Sequence, residues 1–233
     1  MSAGLLAAIL AVNSCLCFGK VELPKNSALA DTRICSKSHM TKELPARSVL
    51  KSSAGKDVLC DTVSDGGGWI VLMRRVRGDV NFSRSWADYS EGFGSFDGDF
   101  WLGLNDSSLL IYEGEWQLRV DMKFEGRDYF AQYRQFELSW RIQQHTIHMG
   151  TFSGNVTDDF SYHNHQMFYT SDSPTSNSCT KTYSGGWWFN NCHRVYLTGE
   201  WKSREQSKGV HWESLTTNKK SLDSVEMKMR EIQ

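Results

Sequence analysis

One short segment, CTKTYSGGWWFNNCH from Cys179 to His193, constrains the fold more strongly than any other part of the chain. Its two cysteines enclose twelve residues, which include a tyrosine, two adjacent glycines and three consecutive aromatic residues. Such a segment is too apolar for an exposed loop and too rich in glycine for a regular helix or strand. It therefore predicts an irregular loop held against the core, with Trp187, Trp188 and Phe189 buried.

The start of the chain is typical of a secreted protein. Its first residues, MSAGLLAAILAVNSCLCFG, are apolar and uncharged, and charged residues follow from Lys20 onward. The apolar run Leu5–Val12 is too short to span a bilayer, and its position favours a secretory signal peptide over a buried helix. We therefore predict a signal peptide at residues 1–19, a short tail at residues 20–34, and an extracellular location.

Removal of this signal peptide leaves four of the six cysteines in the chain. They are Cys35, Cys60, Cys179 and Cys192. Four cysteines allow three pairings, and an oxidising environment favours disulfides over free thiols or metal ligands. The sequential pairing closes the two shorter loops, and it leaves no cysteine to link one chain to another.

The remaining sequence contains many patterns typical of strands and few typical of helices. Strands are predicted at Trp69–Met73, Glu115–Met122, Tyr129–Phe136 and Glu226–Arg230. Helical segments are predicted at Phe100–Leu104 and Ser108–Ile111, and an extended run at Val80–Phe82. No low-complexity linker or internal repeat interrupts the chain after Arg33. We therefore predict one α+β domain, built around a central antiparallel sheet with short helices and long loops.

Charge and motif content argue against several functional classes. The net charge of −1 gives no broad field that would attract nucleic acid or an anionic membrane. The chain has no nucleophile elbow, no HExxH zinc motif and no phosphate-binding loop, so we predict that it is not an enzyme. His145 and His148, and likewise His163 and His165, are interpreted as structural histidines.

Four sequence blocks occur in an order that resembles the fibrinogen-related domain, the C-terminal globular module of fibrinogens, ficolins, tachylectins, tenascins and angiopoietins. They are CDTVSDGGGWIVLMRR (Cys60–Arg75), NFSRSWADYSEGFGSFDGDFWLGL (Asn81–Leu104), YSGGWWFNNCH (Tyr183–His193) and VEMKMR (Val225–Arg230). The resemblance extends over about residues 33–231, and the domain is placed at residues 35–231. It implies the disulfides Cys35–Cys60 and Cys179–Cys192, and a cis peptide bond between Asn191 and Cys192.

The same resemblance implies a function. Secreted lectins of this family bind acetylated sugars such as N-acetylglucosamine beside the second disulfide. By motif position, the site falls on Tyr183, Asn191, Cys192 and His193. The sequence is therefore expected to encode a pattern-recognition lectin of innate defence that binds acetylated glycans on microbial or cell surfaces.

The chain departs from the family pattern at the proposed site. Tyr196 and Thr198 stand where the family usually has asparagines. The Thr216–Ser221 region contains no aromatic residue, although family lectins complete the pocket wall there. Lys219 or Lys220 takes the place of a ring, so that one wall is lost or selects an anionic group instead.

The calcium loop of the family is also reduced. The segment TSDSPTSNSC retains a single acid, Asp172, and Pro174 interrupts it. Because calcium requires six to eight oxygen ligands, we expect the calcium site to be lost, and no other cofactor is predicted.

An adhesion or receptor-ligand module that binds a protein partner is the alternative function. Arg77-Gly78-Asp79 is the tripeptide that many integrins recognise, and it falls in a predicted turn. Sequons at Asn155, Asn81 and Asn105 predict N-glycosylation. The tail before Cys35 has neither heptads nor Gly-x-y repeats, so agglutination would require the domain itself to form homo-oligomers.

Overall fold

The computed structural model describes residues 35, 45–51, 56–111, 114–141, 144–173, 175, 177–216 and 220–232. The predicted signal peptide at residues 1–19 and the tail at residues 20–34 lie outside these residues, as do Pro174 and Lys219.

Nine strands of the described chain form one antiparallel sheet, whose main path runs in the order β1-β2-β3-β13-β6-β7-β10. These strands are β1 (Arg47–Lys51), β2 (Asp57–Asp61), β3 (Trp69–Arg75), β6 (Trp116–Phe124), β7 (Arg127–Tyr133), β10 (Phe152–Gly154) and β13 (Ser224–Glu231). The remaining two, β4 (Phe93–Gly94) and β5 (Phe100–Trp101), extend the sheet beside β3.

Two small hairpin sheets and a few short helices complete the described fold. The hairpins pair β8 (Glu137–Arg141) with β9 (Gln144–His148), and β11 (Val195–Tyr196) with β12 (His211–Trp212). The α-helices are α1 (Trp86–Glu91) and α2 (Leu104–Leu110). Short 3-10 helices also occur at Ser64–Gly66, Phe160–His163 and Ser178–Lys181. Neither α-helix has the length or the apolar character that crossing a bilayer requires in the part of the chain described.

The alternating sequence of β13 determines the two faces of the sheet. Val225, Met227 and Met229 are at most 1% exposed and face the core. In register, Met227 lies opposite Val120 of β6 and Met73 of β3, so apolar side chains stack across the three central strands. Side chains alternate across a strand, and the intervening charged residues of β13 therefore lie on the opposite face.

A network of ion pairs covers that opposite face around Lys228, whose side chain is fully buried. Its Nζ atom lies 2.5 Å from Oδ2 of Asp61, and it also pairs with Asp121. Glu226 joins the network through Arg47 at 2.5 Å and Arg74 at 3.0 Å. Burial alone would raise the pKa of Asp61, but the charge and hydrogen bond of Lys228 outweigh it and hold that pKa well below its usual range.

The predicted α+β class, with its antiparallel sheet, short helices and two disulfides, is confirmed. The bonded pairs are Cys35–Cys60 and Cys179–Cys192, as the resemblance implies. The four strands predicted from the sequence correspond to β3, β6, β7 and β13. One of them was predicted too long: β7 ends at Tyr133, and Gln135 turns the chain in the left-handed region at a φ of 56°.

Two local predictions are wrong. Phe100 and Trp101 are not helical, because their backbone pairs with Met73 and Arg74 of β3 and both rings enter the core. The helix begins only at Leu104. The segment Val80–Phe82 forms no strand. Its backbone instead binds the side chain of Tyr89, because the carbonyl oxygen of Phe82 accepts a hydrogen bond from the buried hydroxyl of Tyr89 at 2.7 Å.

Candidate functional site

The loop closed by Cys179 and Cys192 packs inward, as its composition predicts. Trp187, Trp188 and Phe189 are no more than 1% exposed. Gly186 permits this close approach, because a Cβ atom there would lie 2.6 Å from the ring of Phe168. These aromatic residues therefore form the floor beneath the candidate site and are not available to contact a ligand.

The two residues that depart from the family pattern hold this loop in place. The Oη atom of Tyr196 accepts a hydrogen bond from the backbone N–H of Gly185 at 2.7 Å. The Oγ1 atom of Thr198 donates to the carbonyl oxygen of Gly186 at 2.7 Å. Both side chains are buried, so their role at these positions is structural.

His163 fixes the corner of the loop from below, a role that the sequence did not reveal. Its Nδ1 atom donates to the carbonyl oxygen of Trp188 at 2.7 Å, and its Nε2 atom accepts from the N–H groups of Arg194 and Val195 at 3.2 and 3.1 Å. These partners require the neutral tautomer protonated at Nδ1. Burial lowers the pKa of His163 to about 4, which keeps the ring neutral.

The peptide bond between Asn191 and Cys192 is cis, as the resemblance implies. The corner is held on both sides, because Asn190 N–H donates to the carbonyl oxygen of Cys192 at 2.9 Å and the hydroxyl of Tyr162 donates to that of Asn191 at 3.1 Å. Asn191 is exposed at the surface, while Cys192 is half-buried.

Tyr183 and His193 come together beside this corner. Their ring centroids are 4.5 Å apart in an edge-to-face arrangement, and His193 stacks on Tyr196 at 5.0 Å. The two predicted ligand-binding side chains are thus neighbours, both half-buried.

His193 differs from the other described histidines in its hydrogen bonding. Both of its ring nitrogens are buried, and neither has a hydrogen-bond partner among the described residues. The backbone of Ser207 lies nearby but outside hydrogen-bond geometry. Burial, followed by repulsion from His211 and His163, lowers the pKa of His193 to about 3, so the ring is neutral at physiological pH.

The Thr216–Ser221 region turns its described side chains away from a pocket. The hydroxyl of Thr216 is buried, 2.6 Å from Nδ1 of His211, and donates to the carbonyl oxygen of Trp212. Lys220 forms an ion pair with Glu125 at the turn between β6 and β7. Thr216 therefore braces β12 from within, and the charge of Lys220 is matched by an acid on another hairpin.

Asp172, the remaining acid of the reduced calcium loop, takes part in protein hydrogen bonds. Its Oδ1 atom accepts from the N–H of Trp86, the first residue of α1, at 2.9 Å, and from the hydroxyl of Thr170 at 2.8 Å. In the ranges described, no three His, Cys, Asp or Glu side chains converge as a metal site. The carboxylate instead fixes the start of α1 to the loop before Cys179.

The Arg77–Asp79 turn is exposed but tightly held. Buried Asp99 accepts hydrogen bonds from the N–H groups of Arg77 and Gly78 at 2.8 and 3.0 Å. In return, Oδ1 of Asp79 accepts from the N–H of Asp99 at 3.0 Å. A side chain at Gly98 would collide with the Asp79 carboxylate, so this acid packs against the protein backbone.

All three sequon asparagines are exposed. Asn81 borders a groove of about 470 Å³ that also includes Asp79 and Trp201 in its lining. Asn155 is the most constrained, because its Oδ1 atom accepts from the N–H of Phe130 at 2.7 Å and its Nδ2 atom donates to Asp128. Asn105 lies in the first turn of α2.

Similar sequences are found among proteins named tenascin and tenascin-R. Mouse tenascin-R is 39% identical over 176 residues, which cover 74% of this chain and 13% of that protein. Human tenascin-R is 38% identical over 176 residues, with the same shares covered. The chain thus spans about an eighth of the length of these relatives.

Solved structures with the same fold include two human domains. The fibrinogen-like globe domain of human ANGPTL2 has a TM-score of 0.75 and 34% identity, covering 82% of this chain and 94% of that one. That of human ANGPTL6 has a TM-score of 0.74 and 32% identity, covering 80% and 90%. Lamprey fibrin D-dimer, complexed with the peptide ligand Gly-His-Arg-Pro-amide, has a TM-score of 0.71 and 25% identity, covering 80% and 70%.

The family model for the C-terminal globular domain of fibrinogen beta and gamma chains matches residues 35–232. This match includes the sheet, both disulfides and the corner at Tyr183 and His193. The resemblance read from the four sequence blocks is thereby confirmed, and the chain belongs to the fibrinogen C-terminal domain family.

Proposed function

We propose that this domain is a secreted binding module that recognises a protein partner through the corner formed by Tyr183, Cys192 and His193. The observation that carries the proposal is the pair of buried, unpartnered ring nitrogens of His193. A buried polar atom without a partner costs roughly 1–3 kcal/mol of stability. A ligand that supplies the missing hydrogen bond recovers this cost, and the recovered free energy favours binding. His193 is half-buried as a residue while its nitrogens are shielded, so we propose that its ring turns to bring a nitrogen to a ligand at the corner.

A peptide segment fits this corner better than a sugar alone. The lamprey fibrin structure, which shares this fold, contains a peptide ligand. The Thr216–Ser221 region contains no aromatic residue to close a pocket around an acetyl methyl group, and Thr216 is directed into the protein. An extended peptide requires only one wall and a few hydrogen-bonding groups, which Tyr183, His193 and the backbone at Cys192 offer.

The second candidate function is that of a lectin that binds acetylated glycans. The expected role in innate defence belongs to this second candidate. The arrangement of Tyr183 against His193 beside a cis peptide favours it, since the family resemblance assigns the acetyl group to these positions. Integrin binding through Arg77-Gly78-Asp79 is a further form of the adhesion function. It is less favoured because the Asp79 carboxylate already accepts a backbone hydrogen bond.

A cell-attachment assay separates these functions. Plastic is coated with the untagged secreted chain, and attachment of fibroblasts is measured with and without trypsin treatment of the cells, and with N-acetylglucosamine or glucose as competitor. We expect trypsin to abolish attachment and N-acetylglucosamine to have no more effect than glucose. Inhibition by N-acetylglucosamine alone would establish the lectin function, and no attachment by the folded chain in any arm would reject both.

The corner itself is tested by Tyr183→Ala, with Tyr129→Ala, at a half-buried tyrosine of β7 outside the corner, as the matched control. We expect Tyr183→Ala to abolish attachment while the thermal unfolding of the domain remains cooperative. Unchanged attachment by Tyr183→Ala would place the binding surface elsewhere on the domain.

A further inference from the structure

A pair of histidines lies on a different part of the surface from the proposed binding corner. His148 ends β9, and His165 lies in the segment that pairs with this strand. Their Nδ1 atoms share a hydrogen bond of 2.9 Å, whose proton a metal ion would displace, and the ring centroids are 5.0 Å apart. His165 is exposed and His148 is half-buried, so solvent reaches the pair.

We propose that His148 and His165 form a chelating site for a late first-row divalent metal ion, with Cu²⁺ as the preferred ion. Imidazole nitrogen is the protein ligand that this class of ion favours among the uncharged side chains. With metal–nitrogen distances of about 2.0–2.1 Å, two nitrogens 2.9 Å apart subtend an angle of about 90° at the metal. That angle matches tetragonal Cu²⁺, whereas tetrahedral Zn²⁺ would require the rings to move apart.

The hydrogen-bond partner at Nε2 of His148 fits metal binding at Nδ1. A ring that binds a metal through Nδ1 must carry its proton on Nε2 and needs an acceptor for it. The hydroxyl oxygen of Ser139 lies 3.1 Å from Nε2 of His148, on the neighbouring strand β8. Ser139 is thus positioned to hold the ring in the orientation and tautomer that coordination requires.

The backbones that carry the two rings are fixed before any ion binds. The side chain of Asn164 accepts from the N–H of Met149 at 2.9 Å and donates to the carbonyl oxygen of Met149 at 2.7 Å. The N–H of His165 donates to the carbonyl oxygen of Ile147 at 2.8 Å. His165 itself has a φ of 64°, in the left-handed region, which histidine adopts more often than most residues other than glycine. This conformation directs the ring toward His148.

A groove beside the histidine pair admits water to complete the coordination. Glu137 of β8 lies directly opposite His148 in the antiparallel register and is exposed. Both residues line a groove of about 370 Å³, which gives a hydrated ion access to the rings. Two imidazoles, with water in the remaining positions, form an N,O ligand set of the kind that Cu²⁺ and Ni²⁺ accept.

The test is titration of the untagged full chain with CuCl₂ in a buffer that does not bind copper, followed by calorimetry and electron paramagnetic resonance. We expect one ion per chain, a tetragonal spectrum with nitrogen hyperfine coupling, and binding at least tenfold tighter than that of ZnCl₂. His165→Asn, which suits the left-handed backbone, and His148→Gln should each abolish this binding. Ser139→Ala, which retains both ligands, should weaken it by roughly 10-fold or more.

The control variant is His39→Ala. His39 is the one histidine of the chain outside the described residues, so this variant tests whether it contributes to copper binding. It should bind copper as the parent chain does. Binding that persists in His165→Asn and His148→Gln, or that is lost in His39→Ala, would overturn the proposal. Thermal unfolding of each variant without metal confirms that the domain is folded in every arm.

Discussion

The Nδ1 atom of His163 donates a hydrogen bond to the carbonyl oxygen of Trp188 over 2.7 Å, across 25 residues of sequence. The opposite nitrogen of the same ring accepts from two N–H groups that follow His193. One neutral imidazole therefore joins the aromatic floor of the disulfide loop to the corner that carries the candidate site.

This arrangement predicts that the domain loses stability in mild acid. The pKa of His163 is about 4 in the folded chain, against 6.5 for an unperturbed histidine. As pH falls below about 6.5, the unfolded chain takes up a proton that the folded chain refuses, so stability is full above that pH and decreases toward pH 4. His163 alone should account for a loss of roughly 2–3 kcal/mol between pH 7.5 and 4.5.

Urea unfolding of the parent and of His163→Gln at pH 7.5 and 4.5 measures the contribution of His163 to this loss of stability. The variant should be less stable by about 2 kcal/mol at pH 7.5, because the Arg194 and Val195 N–H groups lose their acceptor. It should also lose less stability than the parent on acidification. An equal loss in the two proteins would show that other groups cause the acid sensitivity.

Lys228 predicts a second stability effect, on the opposite face of the sheet. Its removal in Lys228→Met leaves the fully buried Asp61 carboxylate without its principal partner. Breaking one side of a buried ion pair costs roughly 3–5 kcal/mol. In Lys228→Met combined with Asp61→Leu, part of this loss should be recovered, because the buried Asp61 charge is removed and Asp121, the second partner of Lys228, keeps its ion pair with Arg119. Additive losses in the double-mutant cycle would contradict the pairing.

His193 should show a separation of stability from function. Phenylalanine retains a flat ring that can stack on Tyr196 but removes both unpartnered nitrogens. We expect His193→Phe to be as stable as the parent at pH 7.5, or more stable by about 1 kcal/mol, and to lose cell attachment. Thermal unfolding and the attachment assay measure the two effects. A destabilised variant that still attaches cells would assign His193 to the core.

Asp79→Asn separates integrin recognition from a structural role of the turn. The amide oxygen can still accept the hydrogen bond from Asp99, but the negative charge is removed. We expect both thermal stability and cell attachment to be unchanged. Attachment lost without a change in stability would show that Arg77-Gly78-Asp79 is recognised directly. The variant would then have removed only the negative charge that the partner binds.

Much of the framework could be predicted because its signals are local. The alternation in β13 and the apolar run of β3 report their own burial, and the two disulfides follow from the family blocks. Phe100 and Trp101 misled the prediction, since two adjacent apolar residues fit a buried helix as well as a short strand. Pairing with β3 makes this segment a strand, and the local sequence of the segment does not encode that long-range pairing.

The proximity of Tyr183 and His193 was predicted from the sequence, but the residues that support them were not. Tyr183 and His193 lie close together in sequence and inside a recognisable block, so their proximity could be anticipated. The contacts of His163 with Trp188 and Val195 connect residues 25 to 32 positions apart, and no local pattern encodes them. Tyr196 and Thr198 appeared as departures from the family, but their hydrogen bonds to the adjacent glycines Gly185 and Gly186 show that they support the disulfide loop.

The position of β13 governs when this domain can acquire its shape during synthesis. Residues 224–231 are translated after every other strand of the sheet, yet they occupy its middle and join β3 to β6. Until they emerge from the ribosome, the two halves of the sheet have no shared neighbour, and both present unpaired edges. The central sheet can therefore close only after β13 has been synthesised, and until then the unpaired edges of β3 and β6 are open to wrong pairing.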